Sequence, residues 1–167
     1  MQTLQLSQFH STSLIGDPKF KDLQDYVGAT SHNLLGEMGF DLTNYQVFTT
    51  EMWVQEFAKK GGGHHSAHVH WNQHVSGFYF LKASDDTAHP VFHDPRTGAR
   101  ATALHMKKDL QGVWPGHDTF YAKMQPGDLV LFPGYVQHEF SVDYGKEPFR
   151  FIHFNLQAVS EIIVKDE

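Results

Sequence analysis

Residues 126–140 read PGDLVLFPGYVQHEF, and their punctuation points to a β-structure. Pro126-Gly127-Asp128 predicts a turn, Leu129 to Phe132 a short buried strand, Pro133-Gly134 a second turn, and His138 the start of a further strand. Four apolar residues between two turns are too few for a helix. The same texture runs outward from this segment. YQVFTTEMWVQEFA (45–58), HVSGFYFLKA (74–83), PVFHDP (90–95), HEFSVDY (138–144) and PFRFIHFNLQAV (148–159) are rich in β-branched and aromatic residues and are bounded by Gly, Pro, Asp and Asn. No helical segments alternate with them, which excludes a parallel α/β sheet and predicts a mainly β sandwich or barrel, a jelly-roll or double-stranded β-helix. Residues 94–118 read as a long loop. The ending SEIIVKDE (160–167) fits either an edge strand or a tail.

One helical region precedes the strands. Asp17-Pro18 suits an N-cap and first helical position, and Phe20, Leu23, Tyr26, Val27, Leu34 and Met38 approximate one face at a 3.6 period. Gly28 and Gly36 leave open whether one helix or two shorter ones cover the sheet. The chain has 167 residues, the length of one ordinary domain, and residues 1–167 are read as such.

Composition narrows the chemistry. With no cysteine, thiolate zinc sites, iron–sulfur clusters and cysteine nucleophiles are excluded, so a metal must use nitrogen or oxygen ligands. Thirteen histidines supply the nitrogen. A formal charge of -6 disfavours broad binding to nucleic acid or anionic membrane. No basic-then-apolar start and no long apolar run is present, which predicts a cytoplasmic protein without a membrane partner.

Within GGGHHSAHVHWNQH (61–74), His68 and His70 are one residue apart and would share a strand face, aimed at a common ion. His138, on a neighbouring strand, would complete a facial set of three. Arg150 would share its face with Ile152 and Phe154, where a guanidinium is costly without an anion to pair with it; an edge-strand pairing with Glu147 or Asp143 is the other reading. His64 and His65 fit a mobile glycine loop spanning Gly61 to Ala67. His74 either lines the pocket or orients a ligand, and His153, on the face opposite Arg150, meets solvent or the helix. Trp53, Phe57, Trp71 and Trp114 fit a pocket wall or the core, Asn72 and Gln55 fit polar groups of a pocket, and Arg96 fits a turn or a ligand contact.

In this order, His68-Val69-His70, Ser76 to Leu81, Asp94-Pro95-Arg96, Gly127 to Pro133, His138 and Arg150 through Phe154-Asn155 resemble the small 2OG-Fe(II) oxygenase family of bacteria and their viruses. The resemblance implies iron(II) held by His68 and His138, with His70 where the superfamily usually has a carboxylate. It further implies 2-oxoglutarate as cosubstrate, chelating the iron at one end and bound by Arg150 at the other, and dioxygen as oxidant. Phe80 stands where relatives often have a tyrosine for the distal carboxylate, and Ser76 on the same strand face can substitute for it. The implied reaction hydroxylates a C–H bond of a peptide or small molecule while 2-oxoglutarate becomes succinate; a homo-oligomer stays open. Two alternatives remain. The segment 127–138 also approaches a cupin motif with its glycine shifted by one, although no acid follows His70 before Asp85, and a non-catalytic binding module can use the same barrel.

Overall fold

Residues 126–140 form the predicted turn–strand–turn–strand in the computed structural model, which describes residues 8–57, 63–96, 98, 101, 104–110 and 112–161. In chain order the strands are β1 (Gln8–His10), β2 (Tyr45–Phe57), β3 (His65–His68), β4 (Val75–Lys82), β5 (Pro90–His93), β6 (Thr119–Tyr121), β7 (Leu129–Pro133), β8 (His138–Phe140) and β9 (Phe149–Ser160). They build two antiparallel sheets, β1-β2-β9-β4-β7 and β3-β8-β5-β6. The architecture is a mainly β jelly-roll. Residues 162–167, most of the SEIIVKDE ending, lie outside the described residues, as do 61 and 62 of the expected glycine loop. The rest of that loop is not free coil, because residues 65–68 are β3 and pair with β8.

A single helical unit covers the larger sheet. Asp17 caps a 3-10 turn over Pro18–Phe20, its carboxylate accepting from the Lys19 N–H at 3.0 Å, and α1 (Lys21–Glu37) follows without a break. Gly28 and Gly36 do not divide it, since Val27, Ser31 and Leu35 repeat every four residues on the buried side. Among the described residues no helix is long and apolar enough to cross a membrane.

Alternation along the strands sorts two cores onto opposite faces of the larger sheet. Met52, Val75, Ile152, Phe154 and Leu156 face α1 and pack with Leu14, Val27 and Leu35. Phe57, Phe78, Phe80, Phe149 and Phe151 face the other sheet and pack with Phe132 and Phe140 inside the barrel. β9 is therefore buried on both faces.

Gly77, in the middle of β4, shows how tightly the helix-side layer is built. A Cβ there would lie 2.4 Å from a ring carbon of Phe154 and 2.5 Å from the Val130 carbonyl oxygen. Backbone cannot yield as a side chain does, so Gly77→Ala is expected to destabilise the fold by about 1–3 kcal/mol. Urea unfolding reads this as a lower midpoint at unchanged slope; an unchanged midpoint would contradict the packing.

Candidate metal centre

Three imidazoles converge at one end of the barrel. His68 ends β3, His138 starts β8 directly opposite it, and His70 follows β3. Their ring centroids are 4.5 Å (His68 to His138), 5.0 Å (His70 to His138) and 5.1 Å (His68 to His70) apart. One nitrogen from each lies within 4.8 Å of the other two. His68 and His70 do not share a strand as expected from their spacing, because β3 ends at His68. What brings His70 inward is a clamp between two turns: its N–H donates to Gly134 O at 3.0 Å, and the Gly134 N–H donates to His74 O at 3.1 Å. Gly134 permits this approach, since a Cβ would lie 2.3 Å from Gln73 O.

Hydrogen bonds fix the protonation of the rings. The Nδ1 of His68 lies 2.7 Å from Ser66 O and that of His138 lies 3.0 Å from Val136 O. A carbonyl only accepts, so each Nδ1 carries the proton and each Nε2 presents a bare lone pair. His70 is set differently. Its Nδ1 lies 3.1 Å from the Asn155 amide nitrogen, which also donates to Glu51 at 2.5 Å, and its Nε2 lies 3.3 Å from the Nε2 of His138. An amide nitrogen only donates, which makes His70 Nδ1 the acceptor and places its proton on Nε2, shared toward His138.

Burial, more than the neighbouring imidazoles, favours the neutral form of His65, His70 and His138. It pushes His65 and His70 down to about 4 and His138 down to about 3, against an ordinary value of 6.5. Between these values the unfolded chain binds protons that the folded chain refuses, so stability falls as pH falls. In metal-free protein the Tm is expected to drop progressively from about pH 6.5 toward pH 4, a window set by the cited values. A melting temperature flat across that range would contradict the burial of these rings.

The remaining residues sort clearly. Arg150 does not face the barrel as expected. It lies opposite Glu56 in the β2–β9 register, on the helix side of the sheet, and its guanidinium pairs with the Glu56 carboxylate. His153, expected to meet solvent or the helix, is instead inside the barrel, stacked on His70 at 4.9 Å and tilted against Trp53 at 4.4 Å. The physical reason is common to both: each face of β9 is buried, so apolar neighbours mark neither as the interior. His153 also forms, with Glu51 and His70, a second group whose ligand atoms lie within 4.8 Å of one another; the histidine spacing gave no signal of it.

Ser76 and Gln55 are fully buried on the inner face. His65, expected in a mobile loop, is on β3 and stands edge-on to Phe57 and Phe140. His74 accepts from the Ala158 N–H, away from the three imidazoles' nitrogens. Trp71 is 85% exposed and Phe57 is core. Asn72 occupies a turn at φ 59°. Arg96 folds onto Asp94 and donates to Pro115 O, a turn-holding role. It borders, with Phe92, Pro95, Trp114 and His117, a cavity of about 440 Å³. Phe92 is paired in register with His138, so β5 borders both that cavity and the candidate centre, although none of the three imidazoles lines the cavity.

A family model described as "Putative 2OG-Fe(II) oxygenase" matches residues 51–155. Among solved structures, a 2OG-Fe(II) oxygenase family oxidoreductase from Burkholderia pseudomallei aligns with a TM-score of 0.57 at 13% identity, covering 86% of this chain and 60% of that one. A prolyl hydroxylase from Trichoplax adhaerens, in complex with a hypoxia inducible factor peptide fragment, aligns at 0.56 and 15% identity, covering 93% and 64%. HygX from Streptomyces hygroscopicus, with nickel and 2-oxoglutarate bound, aligns at 0.56 and 11% identity, covering 90% and 69%. At these identities the likeness is one of fold, and this chain spans less than two-thirds of the length of the first two. No curated protein matches the chain.

Proposed function

The chain belongs to the 2OG-Fe(II) oxygenase family, and from that premise we propose that it binds iron(II) through His68, His70 and His138 and hydroxylates a C–H bond of a peptide or small molecule, with decarboxylation of 2-oxoglutarate to succinate. The convergence of three imidazoles in one half-buried cluster carries this reading. Imidazole nitrogen suits iron(II), and three ligands leave positions open for cosubstrate and dioxygen. When bound, iron would let dioxygen act as the oxidant, with 2-oxoglutarate supplying two of the electrons as it becomes succinate and carbon dioxide; the protein supplies binding, orientation and exclusion of water.

Each residue has a physical task in this scheme. Ser66 O and Val136 O hold His68 and His138 in the tautomer that offers Nε2. Phe78 and Phe132, whose rings are 5.6 and 4.6 Å from that of His138, keep water from its inner side. His70 must move its proton from Nε2 to Nδ1 to ligate, and the buried Asn155 Oδ1, which has no partner, can accept that proton once the amide turns. Asn155→Leu is therefore expected to weaken iron(II) binding about 10- to 100-fold, read by competition with a chromogenic chelator. Unchanged affinity would remove Asn155 from the centre.

Peptide or small-molecule substrates are assigned to the cavity along β5, whose wall of Phe92, Pro95 and Trp114 is mostly apolar. The Trichoplax hydroxylase holds a peptide, which supports that class. The test is aerobic incubation with iron(II), 2-oxoglutarate and fractionated peptides and metabolites, with succinate read by NMR. Iron-dependent succinate above the protein-free rate is expected; iron-loaded protein that never forms it would contradict the proposal and favour a metal-binding barrel of other chemistry.

A further inference from the structure

Glu51 reaches the end of the barrel through an irregularity of β2. Val47 and Thr49 stand opposite Ala158 and Leu156 on the helix side of the sheet, yet Glu51 stands opposite Asn155 on the inner side, because the register shifts between Thr49 and Glu51. Thr50 is the extra residue, and its hydroxyl lies 2.7 Å from Gln73 Oε1 and 3.1 Å from Asn155 O. A bulge of this kind re-aims the side chain beside it. Without it, the alternation of β2 would turn residue 51 to the helix side.

The carboxylate so placed meets two imidazoles. One ligand atom each from Glu51, His70 and His153 lies within 4.8 Å of the other two. The rings of His70 and His153 have centroids 4.9 Å apart, and two imidazoles bound side by side on one ion, each at about 2.1 Å, have centroids about 5 Å apart. His153 is 4% exposed, and its buried Nε2 has no hydrogen-bond partner. Such a nitrogen is costly unless a ligand completes it. Between Glu51 and His70 lies the Asn155 amide nitrogen, which donates to Glu51 at 2.5 Å and to His70 Nδ1 at 3.1 Å. Two acceptors thus converge where a cation can replace a donor. A cleft of about 370 Å³, which Glu51 borders with His10, Ser13 and Trp53, gives the entry.

We propose that Glu51, His70 and His153 form a second metal site, for a divalent transition ion, separate from the three-imidazole centre and weaker than it. Two imidazole nitrogens and one carboxylate oxygen suit iron(II), manganese(II), cobalt(II) and zinc. The site is the weaker one because the Asn155 amide must swing aside and give up both hydrogen bonds. His70 is the shared ligand: its Nδ1 faces Asn155 and its Nε2 faces His138. With Nδ1 on the second ion the proton stays on Nε2, and His70 is lost to the other centre. Excess metal therefore antagonises the three-imidazole site.

Equilibrium dialysis against cobalt(II), with metal analysis, tests this. Wild type is expected to take up two ions per chain, the second about 10- to 100-fold more weakly, the cost of two hydrogen bonds. Glu51 is exposed, so Glu51→Gln leaves the fold intact and still offers the Asn155 amide a partner. That variant should take up the first ion alone, with its affinity little changed, and so should His153→Phe. A His68→Ala, His138→Ala double variant should keep only the weaker ion, and adding Glu51→Gln should remove that too. His70→Ala should weaken both ions. Saturation of wild type at one ion, two ions in Glu51→Gln, which would place the second on surface histidines, or a weaker ion undisturbed in His70→Ala would each overturn the site.

Discussion

His138→Ala is expected to abolish high-affinity iron(II) binding, with a loss exceeding the roughly 10- to 100-fold that removal of an outer-shell partner costs. His138 is 1% exposed, is the most deeply buried of the three imidazoles, and lies nearest to both others. Its Nδ1 proton is held by Val136 O, so its Nε2 lone pair faces the centre and is released when His70 withdraws the proton it points there. Without His138, His68 and His70 leave a two-ligand site completed by water. Arg150→Ala is the control: on the far face, paired with Glu56, it should leave iron affinity unchanged. Should His138→Ala still bind iron(II) as wild type does, the ion belongs to the neighbouring group of Glu51, His70 and His153.

Phe78→Ala is expected to cost about 3–5 kcal/mol, a large share of the roughly 5–15 kcal/mol that holds a domain of this kind together. Phe78 packs on Phe80, Phe132, Phe140 and Phe151, and its ring is 5.6 Å from both His138 and His153. One side chain thus joins the aromatic core to the candidate centre. Truncation leaves a cavity that these rings cannot all fill, and it frees two imidazoles to tilt. Urea unfolding measures the first effect and the iron(II) titration the second. Phe78→Leu should retain much of the stability, and equal loss in both variants would argue against a cavity as the cause.

The sequence carried most of the fold because its turns are strongly marked. Pro126-Gly127 and Pro133-Gly134 delimit β7 in the structure as in the sequence, and the long β2 and β9 were legible as runs of β-branched and aromatic residues. The short β1 and β6 were not, since three residues hold too little pattern to separate a strand from a loop, and the strand expected to carry both His68 and His70 ends at His68. Convergence of His68, His70 and His138 was anticipated from their order and spacing. Arg150 was placed on the wrong face because face assignment needs one polar side, and β9 has none: Phe151 and Ile152 are buried on opposite sides of it. The pairing of Arg150 with Glu56 depends on a strand register of which no local feature of either segment gives notice. For the same reason the inward place of His153 came into view only with the register of β2, β9 and β4.

The most direct measurement of the central claim is an anaerobic absorption titration, iron(II) first and 2-oxoglutarate second. Wild-type protein should bind iron(II) without visible colour and then develop a weak metal-to-ligand charge-transfer band as 2-oxoglutarate chelates it, a band missing from His138→Ala. Iron(II) bound to the wild type with no such band at saturating 2-oxoglutarate would contradict the account.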